Sequence, residues 1–175
     1  MTRVAWRKDY PMNSLGFPLS CQLFVALVVA TSLASGVAEA NPTVPVKATI
    51  AITESIQTIG TPPCILIGDI SGTGTATHLG NVTLVSHDCI NPISGTAFSF
   101  ASDELVLTAA NGDQVFATYS GILTTEGTVG AITGGYRIVG GTGRFSQATG
   151  AGTVQGVEDL TTGKGQVQLT GTISY

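Results

Sequence analysis

The chain predicts an all-β fold, an antiparallel β-barrel of about eight strands, on three observations. From residue 41 onward Thr, Val, Ile and Gly dominate, while the strong helix formers Leu, Glu, Lys, Arg and Met are scarce. Short runs alternate apolar and polar side chains with a period of two, and turn residues separate them at regular spacing. The stretch from Gly134 to Gly156 places dense glycine in a strand–corner–strand pattern. Small residues inside strands permit the coiling that barrel closure demands, and closure removes exposed edges.

Residues 1–40 read as a cleaved signal peptide. Arg3, Arg7 and Lys8 precede the apolar run Leu23–Ala34, and Ala38-Glu39-Ala40 predicts cleavage between Ala40 and Asn41. The apolar run is shorter than the ~20 residues of a membrane span, so the expectation is a secreted or periplasmic protein without a stable membrane anchor. Residues 41–47, with Pro42 and Pro45, read as a linker, and residues 48–175 as one barrel domain. Past residue 40 there are four basic residues and nine acids, a balance of −5. Nucleic acid and anionic membrane therefore have no electrostatic basis as partners. Cys64 and Cys89 are the two cysteines that remain after cleavage, and in an exported chain such a pair predicts one disulfide.

The strands follow in order. Val46, Ala48, Ile50 and Ile52 share one face against Lys47, Thr49 and Thr53, until Thr61-Pro62-Pro63 breaks the run. A second strand starts at Cys64 and runs toward His78. Asn81–His87 is a third, ended by Asn91-Pro92, and Gly95–Ala101 a fourth. Asn111-Gly112 lies between the β-rich runs Glu104–Ala110 and Asp113–Ser120, the strongest short hairpin signal. With those two residues as the loop, Leu107 pairs with Phe116, Leu105 with Thr118 and Glu104 with Tyr119. Gly130–Val139 and Thr149–Val157 flank the glycine corner, and Glu158–Gly165 reads as a polar turn. The last strand sets Val167, Leu169, Gly171, Ile173 and Tyr175 against Gln166, Gln168, Thr170, Thr172 and Ser174.

Laid out this way, the order Thr77-His-Leu-Gly-Asn-Val-Thr, Ala109-Ala-Asn-Gly-Asp, Tyr119-Ser-Gly, Gly140-Gly-Thr-Gly-Arg-Phe-Ser-Gln-Ala-Thr-Gly and Leu169-Thr-Gly-Thr-Ile-Ser-Tyr resembles the allene oxide cyclase barrel-like superfamily. It is most similar to the exported bacterial members, with plant dirigent proteins as more distant relatives. The resemblance spans roughly Ala48 to Tyr175 and rests on glycine turns, which speak to fold and hardly to activity. It implies an eight-stranded barrel with a lumen for an apolar small molecule. Relatives of this kind isomerise a fatty-acid epoxide or steer phenoxy-radical coupling, and often form trimers. None of their functional residues aligns here by motif, and homo-oligomerisation is left open because no apolar surface stripe stands out.

Each chemical motif has a plainer reading. Gly140-Gly-Thr-Gly-Arg-Phe lacks the strand-to-helix setting, the Gly-Lys-Ser/Thr and the downstream acid of a phosphate loop. Arg144 is expected to pair with an acid or cap carbonyls at the corner, and Phe145 to plug the barrel end. His78 and His87 lack a third ligand at a characteristic spacing, and His87 and Asp88, adjacent on a strand, point to opposite faces, so no metal site is expected. No Gly-x-Ser-x-Gly nucleophile turn is present. Asp103-Glu104 and Glu158-Asp159 read as solvated charge at turns or strand starts. Asn81-Val-Thr is a glycosylation sequon.

Glu104 and Tyr119 are the catalytic candidates. On a lumen face they form an acid/base pair; on the outer face they form a surface hydrogen bond. No residue pattern calls for a cofactor. Three functional classes follow: a non-enzymatic barrel that binds a small apolar ligand, a cyclase, isomerase or dirigent-type enzyme acting on a lipophilic substrate, and a structural module with a plugged barrel.

Overall fold

A computed structural model describes residues 41–175. The proposed signal peptide lies outside the described residues. Eight strands, β1 (Thr43–Thr61), β2 (Cys64–Ala76), β3 (Gly80–Ser94), β4 (Ala97–Ala109), β5 (Gln114–Glu126), β6 (Val129–Gly141), β7 (Thr149–Asp159) and β8 (Lys164–Ser174), form a closed antiparallel barrel. Each strand pairs with the next, and β1 closes on β8 from Thr43↔Ser174 to Thr53↔Lys164. Every strand thus has two hydrogen-bonded neighbours, and no edge is left to template pairing with another chain.

The period-two faces of β1 and β8 are arranged as the alternation predicts. Val46, Ala48, Ile50 and Ile52 point inward with Val167, Leu169 and Ile173, and all are buried. Full burial of a side chain such as Ile50 or Ile173 stabilises the fold by roughly 1.5–3 kcal/mol.

Three readings are corrected. β1 begins at Thr43, so residues 43–47 are strand rather than linker. Pro45 is tolerated because its missing N–H lies on the side beyond the end of the β1–β2 ladder, which starts at Ala48↔Ala76. On that side its carbonyl accepts hydrogen bonds from the Thr77 hydroxyl and the His78 ring instead.

The second correction is the hairpin register. Leu107 pairs with Val115, Val106 with Phe116 and Leu105 with Ala117, one residue away from the sequence expectation. The Ala109 N–H bonds to Asp113 O and the Gly112 N–H to Ala109 O, so the loop is Ala110-Asn111-Gly112. Of the two central residues of the expected two-residue loop only Gly112 has positive φ, at 88°, whereas a type I′ turn needs positive φ at both. Asn111 adopts no such φ and uses its side chain to hold Asp113, accepting from its N–H at 3.1 Å. The slip places Leu105, Leu107, Ala109, Val115 and Ala117 together in the core.

Third, residues 95–101 and 104–110 are not separate strands. β4 runs through both, and its pairings with β3 and β5 skip at Asp103-Glu104. These two consecutive residues are both exposed, the signature of a β-bulge that shifts the inward positions from Phe100 and Ser102 to Leu105 and Leu107. β3 likewise continues through Asn91-Pro92 to Ser94.

One end of the barrel is plugged. After the glycine corner a single 3-10 turn, Gly143–Phe145, drives Phe145 into the lumen, where it is fully buried 4.9 Å from the Tyr175 ring. Arg144 holds this corner: its guanidinium donates to the His78 carbonyl, approaches Asp113 at 3.9 Å and lies 4.7 Å over the Phe145 ring. The corner is a stopper, and no helix follows it to bind a phosphate.

Candidate functional site

The opposite end is the mouth, where the β1–β2, β3–β4, β5–β6 and β7–β8 turns gather. Between the mouth and the plug lies a cavity of about 60 Å³. Its walls are mostly apolar, including Ile52, Ile70, Leu84, Phe100, Leu123 and Ile132, and four polar side chains enter it: Glu54, Asp88, Tyr119 and Glu158. Among the described residues no Lys, Arg or His lines it.

Strand parity puts each polar group there. Glu54 continues the inward series Ile50 and Ile52 on β1. Asp88 continues Leu84 and Ser86 on β3, and Glu158 continues Val154 on β7. Asp88 is 5% exposed and Glu158 4%. The Glu54 N–H donates to the Gly163 carbonyl at 2.7 Å, tying this part of β1 to the β7–β8 turn.

The polar groups form two sets. In the first, Tyr119 donates its phenol hydrogen to Asp88 Oδ1, and Ser86 Oγ donates to the same oxygen at 3.1 Å. Ser86 also lies 3.0 Å from the Ser102 hydroxyl, which accepts the Glu104 N–H at 3.2 Å. Burial pushes the Asp88 carboxyl up to about 6, and the donors Tyr119 and Ser86 oppose that rise. Tyr119 is raised well above the usual phenol range, by burial first and by the neighbouring Asp88 charge second. It stays protonated and acts as a donor.

In the second set, burial first and the neighbouring Glu158 carboxyl second push Glu54 up to about 8. Two buried carboxylates in contact cannot both ionise cheaply, so a proton on Glu54 is what joins the pair. Without that proton, Glu158 Oε2 is sealed from solvent and has no donor. Glycine makes the room: a Cβ at Gly68 would overlap Glu54 Oε1, and one at Gly165 would sit 2.7 Å from Glu158 Cβ.

The two catalytic candidates separate. Tyr119 faces the lumen opposite Ser102, whereas Glu104 is exposed on the β4 bulge, so the two are not partners. Glu54, Asp88 and Glu158 are the acids that line the lumen instead. Their signal was present in the sequence as charge at the inward parity of apolar strands, but Glu158 read as part of a turn and Asp88 as a strand-end residue.

His87 and Asp88 do point to opposite faces, and His87 meets Asp69 outside at 2.6 Å. Among the described residues no three His, Cys, Asp or Glu side chains converge as metal ligands. Cys64 and Cys89 form a disulfide joining the start of β2 to β3, with a Cα–Cα distance of 5.1 Å. Such a bond suits an oxidising compartment.

No protein-family model matches the chain, and no curated protein matches it. Among solved structures the barrel is similar to the pterocarpan synthase dirigent protein GePTS1, with 16% identity and a TM-score of 0.54 over 85% of this chain and 99% of that one. The pterocarpan synthase dirigent protein PsPTS1 is 14% identical over 78% of this chain and 97% of that one, with a TM-score of 0.49. At such identity the likeness is one of fold alone: the chain folds as a closed barrel similar to that of GePTS1.

Proposed function

We propose that the protein is exported and binds a small, mostly apolar molecule in the mouth half of its lumen. The observation that carries this reading is the contrast between the two halves of the barrel. Phe145 and its neighbours fill one half, and the other keeps an apolar cavity into which four polar side chains converge. Ligand sites combine apolar walls with a few placed polar groups in this way. The cavity is well below the ~300 Å³ of a drug-sized pocket, so it seats the head of a ligand whose remainder lies in the mouth. The disulfide and the leader-like residues 1–40 support export.

A second reading, proton-transfer catalysis on a lipophilic substrate, is favoured by the Glu54–Glu158 pair. A carboxyl raised to about 8 holds a proton at neutral pH and can deliver it to a bound molecule. The test is native mass spectrometry of protein purified from its own host, followed by titration with an environment-sensitive lipophilic dye. A co-purifying small molecule, or dye displaced by apolar compounds, is expected. A protein that comes out empty and takes up no dye refutes the binding reading.

A further inference from the structure

The electrostatics of the lumen are one-sided. Facing the cavity are Glu54 from β1, Asp88 from β3, Tyr119 from β5 and Glu158 from β7; among the described residues β2, β4 and β8 add no titratable group to its wall. The remaining buried phenol, Tyr136 on β6, lies in the filled half over Gly152 and Gly171. Lys47, Arg137, Arg144 and Lys164 are all exposed, so among the described residues no basic side chain reaches the acids from within the barrel. Three carboxyls therefore converge in an apolar chamber without a protein cation. One of them, Glu158, is 4% exposed and carries an oxygen, Oε2, for which the described residues supply no hydrogen-bond partner.

Buried carboxylates without a counter-charge are costly, and a site that keeps them is complemented by whatever brings the missing charge and donors. A neutral apolar molecule leaves Glu158 as it is. A carboxylate adds a further negative charge to a low-dielectric space that already holds two or three. An ammonium supplies both the charge and up to three N–H donors.

We propose that the Glu54–Glu158 pair, with Asp88 across the cavity, seats the head of a small organic cation, a protonated amine on a narrow apolar tail. This rests on the reading of the lumen as a ligand site and names its ligand class. The tail lies against Ile70, Phe100, Leu123 and Ile132 toward the mouth, and the ammonium replaces the shared proton as the group that joins the carboxyls. The raised pKa of Glu54 agrees, since the pair already gathers positive charge in the form of a proton.

The test is isothermal titration calorimetry of the full chain at pH 7 with hexylamine, 1-hexanol and hexanoate, which share a tail and differ in head charge. Hexylamine is expected to bind at least tenfold more tightly than hexanol, with hexanoate weakest. Glu158→Gln, which keeps the shape and removes the charge, is expected to weaken hexylamine at least tenfold while hexanol changes less than twofold. Glu104→Gln on the exposed β4 bulge, outside the lumen, serves as the control and is expected to leave all three unchanged. Equal binding of hexylamine and hexanol, preference for hexanoate, or an amine preference that survives Glu158→Gln overturns the cation class and leaves lumen binding standing. If none of the three binds, the cation class falls; if a neutral lipophilic dye is excluded as well, the lumen reading falls with it.

Discussion

Glu54 on β1 and Glu158 on β7 meet across β8, above Gly165, which pairs with Ile52 on one side and Glu158 on the other. A residue with any side chain at 165 would press into Glu158, and one at 68 would press into Glu54. Two glycines on separate strands thus hold open the space into which two acids from distant parts of the chain project.

Stability should fall with rising pH. Glu54 goes from an ordinary 4.5 to about 8 on folding, and Asp88 from 3.8 to about 6. The folded protein therefore holds protons that the unfolded chain releases. Their contribution is fully present below about pH 4 and is lost as pH climbs through 6 and then 8. Urea midpoints measured from pH 5 to 8.5 are expected to decline steadily, and Glu54→Gln to flatten the upper part of the curve. A midpoint that rises over this range contradicts the shared proton.

Gly68→Ala should separate the acids without unfolding the barrel. The added methyl overlaps Glu54 Oε1, the far end of a flexible side chain that can swing aside. The expected cost is about 1 kcal/mol. By NMR titration, the Glu54 carboxyl should fall back toward the ordinary range once Glu158 no longer holds it. An unchanged titration shows that Glu54 is raised by burial alone.

Gly152→Ala should be far more damaging. Its methyl would overlap the Thr170 carbonyl oxygen and lie 2.6 Å from Tyr136 Oη, and backbone between two paired strands cannot move aside as a carboxylate can. A loss of about 2–3 kcal/mol is expected from chemical denaturation. A cost equal to that of Gly68→Ala removes the distinction between the two sites.

Tyr119→Phe removes a donor from a buried carboxyl. The tyrosine hydrogen bond holds Asp88 down against the effect of burial, so its loss should raise Asp88 further above about 6. Leaving a buried acceptor short of a partner costs about 1–3 kcal/mol, and less where Ser86 continues to donate. Carbon-detected NMR of Asp88 in the variant reads both the direction and the size. A fall in its pKa contradicts the network.

Replacing Cys64 and Cys89 by Ser should lower stability by about 3 kcal/mol, since the bridge closes a loop with a sequence separation of 25. The barrel should still form, because the β2–β3 ladder is continuous from Leu66↔Ile90 to Ala76↔Gly80. Far-UV circular dichroism and urea melts of the double variant test both statements.

The sequence carried the fold in its local patterns. Val46 to Ile52 and Val167 to Ile173 alternate so regularly that the inward face of β1 and β8 is legible, and Arg144 and Phe145 sit at the corner as capping and plugging residues. The site was not legible to the same degree. Glu104 and Tyr119 are cross-strand neighbours only if Asn111-Gly112 is a two-residue loop; the three-residue loop and the Asp103-Glu104 bulge send Glu104 outside and leave Tyr119 within. A one-residue slip exchanges the faces of a strand, and nothing in the hairpin's own residues forbids it.

What the sequence by itself determined is the class: short alternating strands, glycine corners, a cysteine pair and an acidic surface. Those follow from period, turn chemistry and composition, which act over a few residues. Only the tertiary structure decided that Glu54, Asp88 and Glu158 face one another, because they come from β1, β3 and β7 and are brought together by closure of β1 on β8. Each acid, read in its own strand, is an ordinary solvated charge. Closure withdraws the water from all three at once, and the raised carboxyls of Glu54 and Asp88 follow from that shared burial.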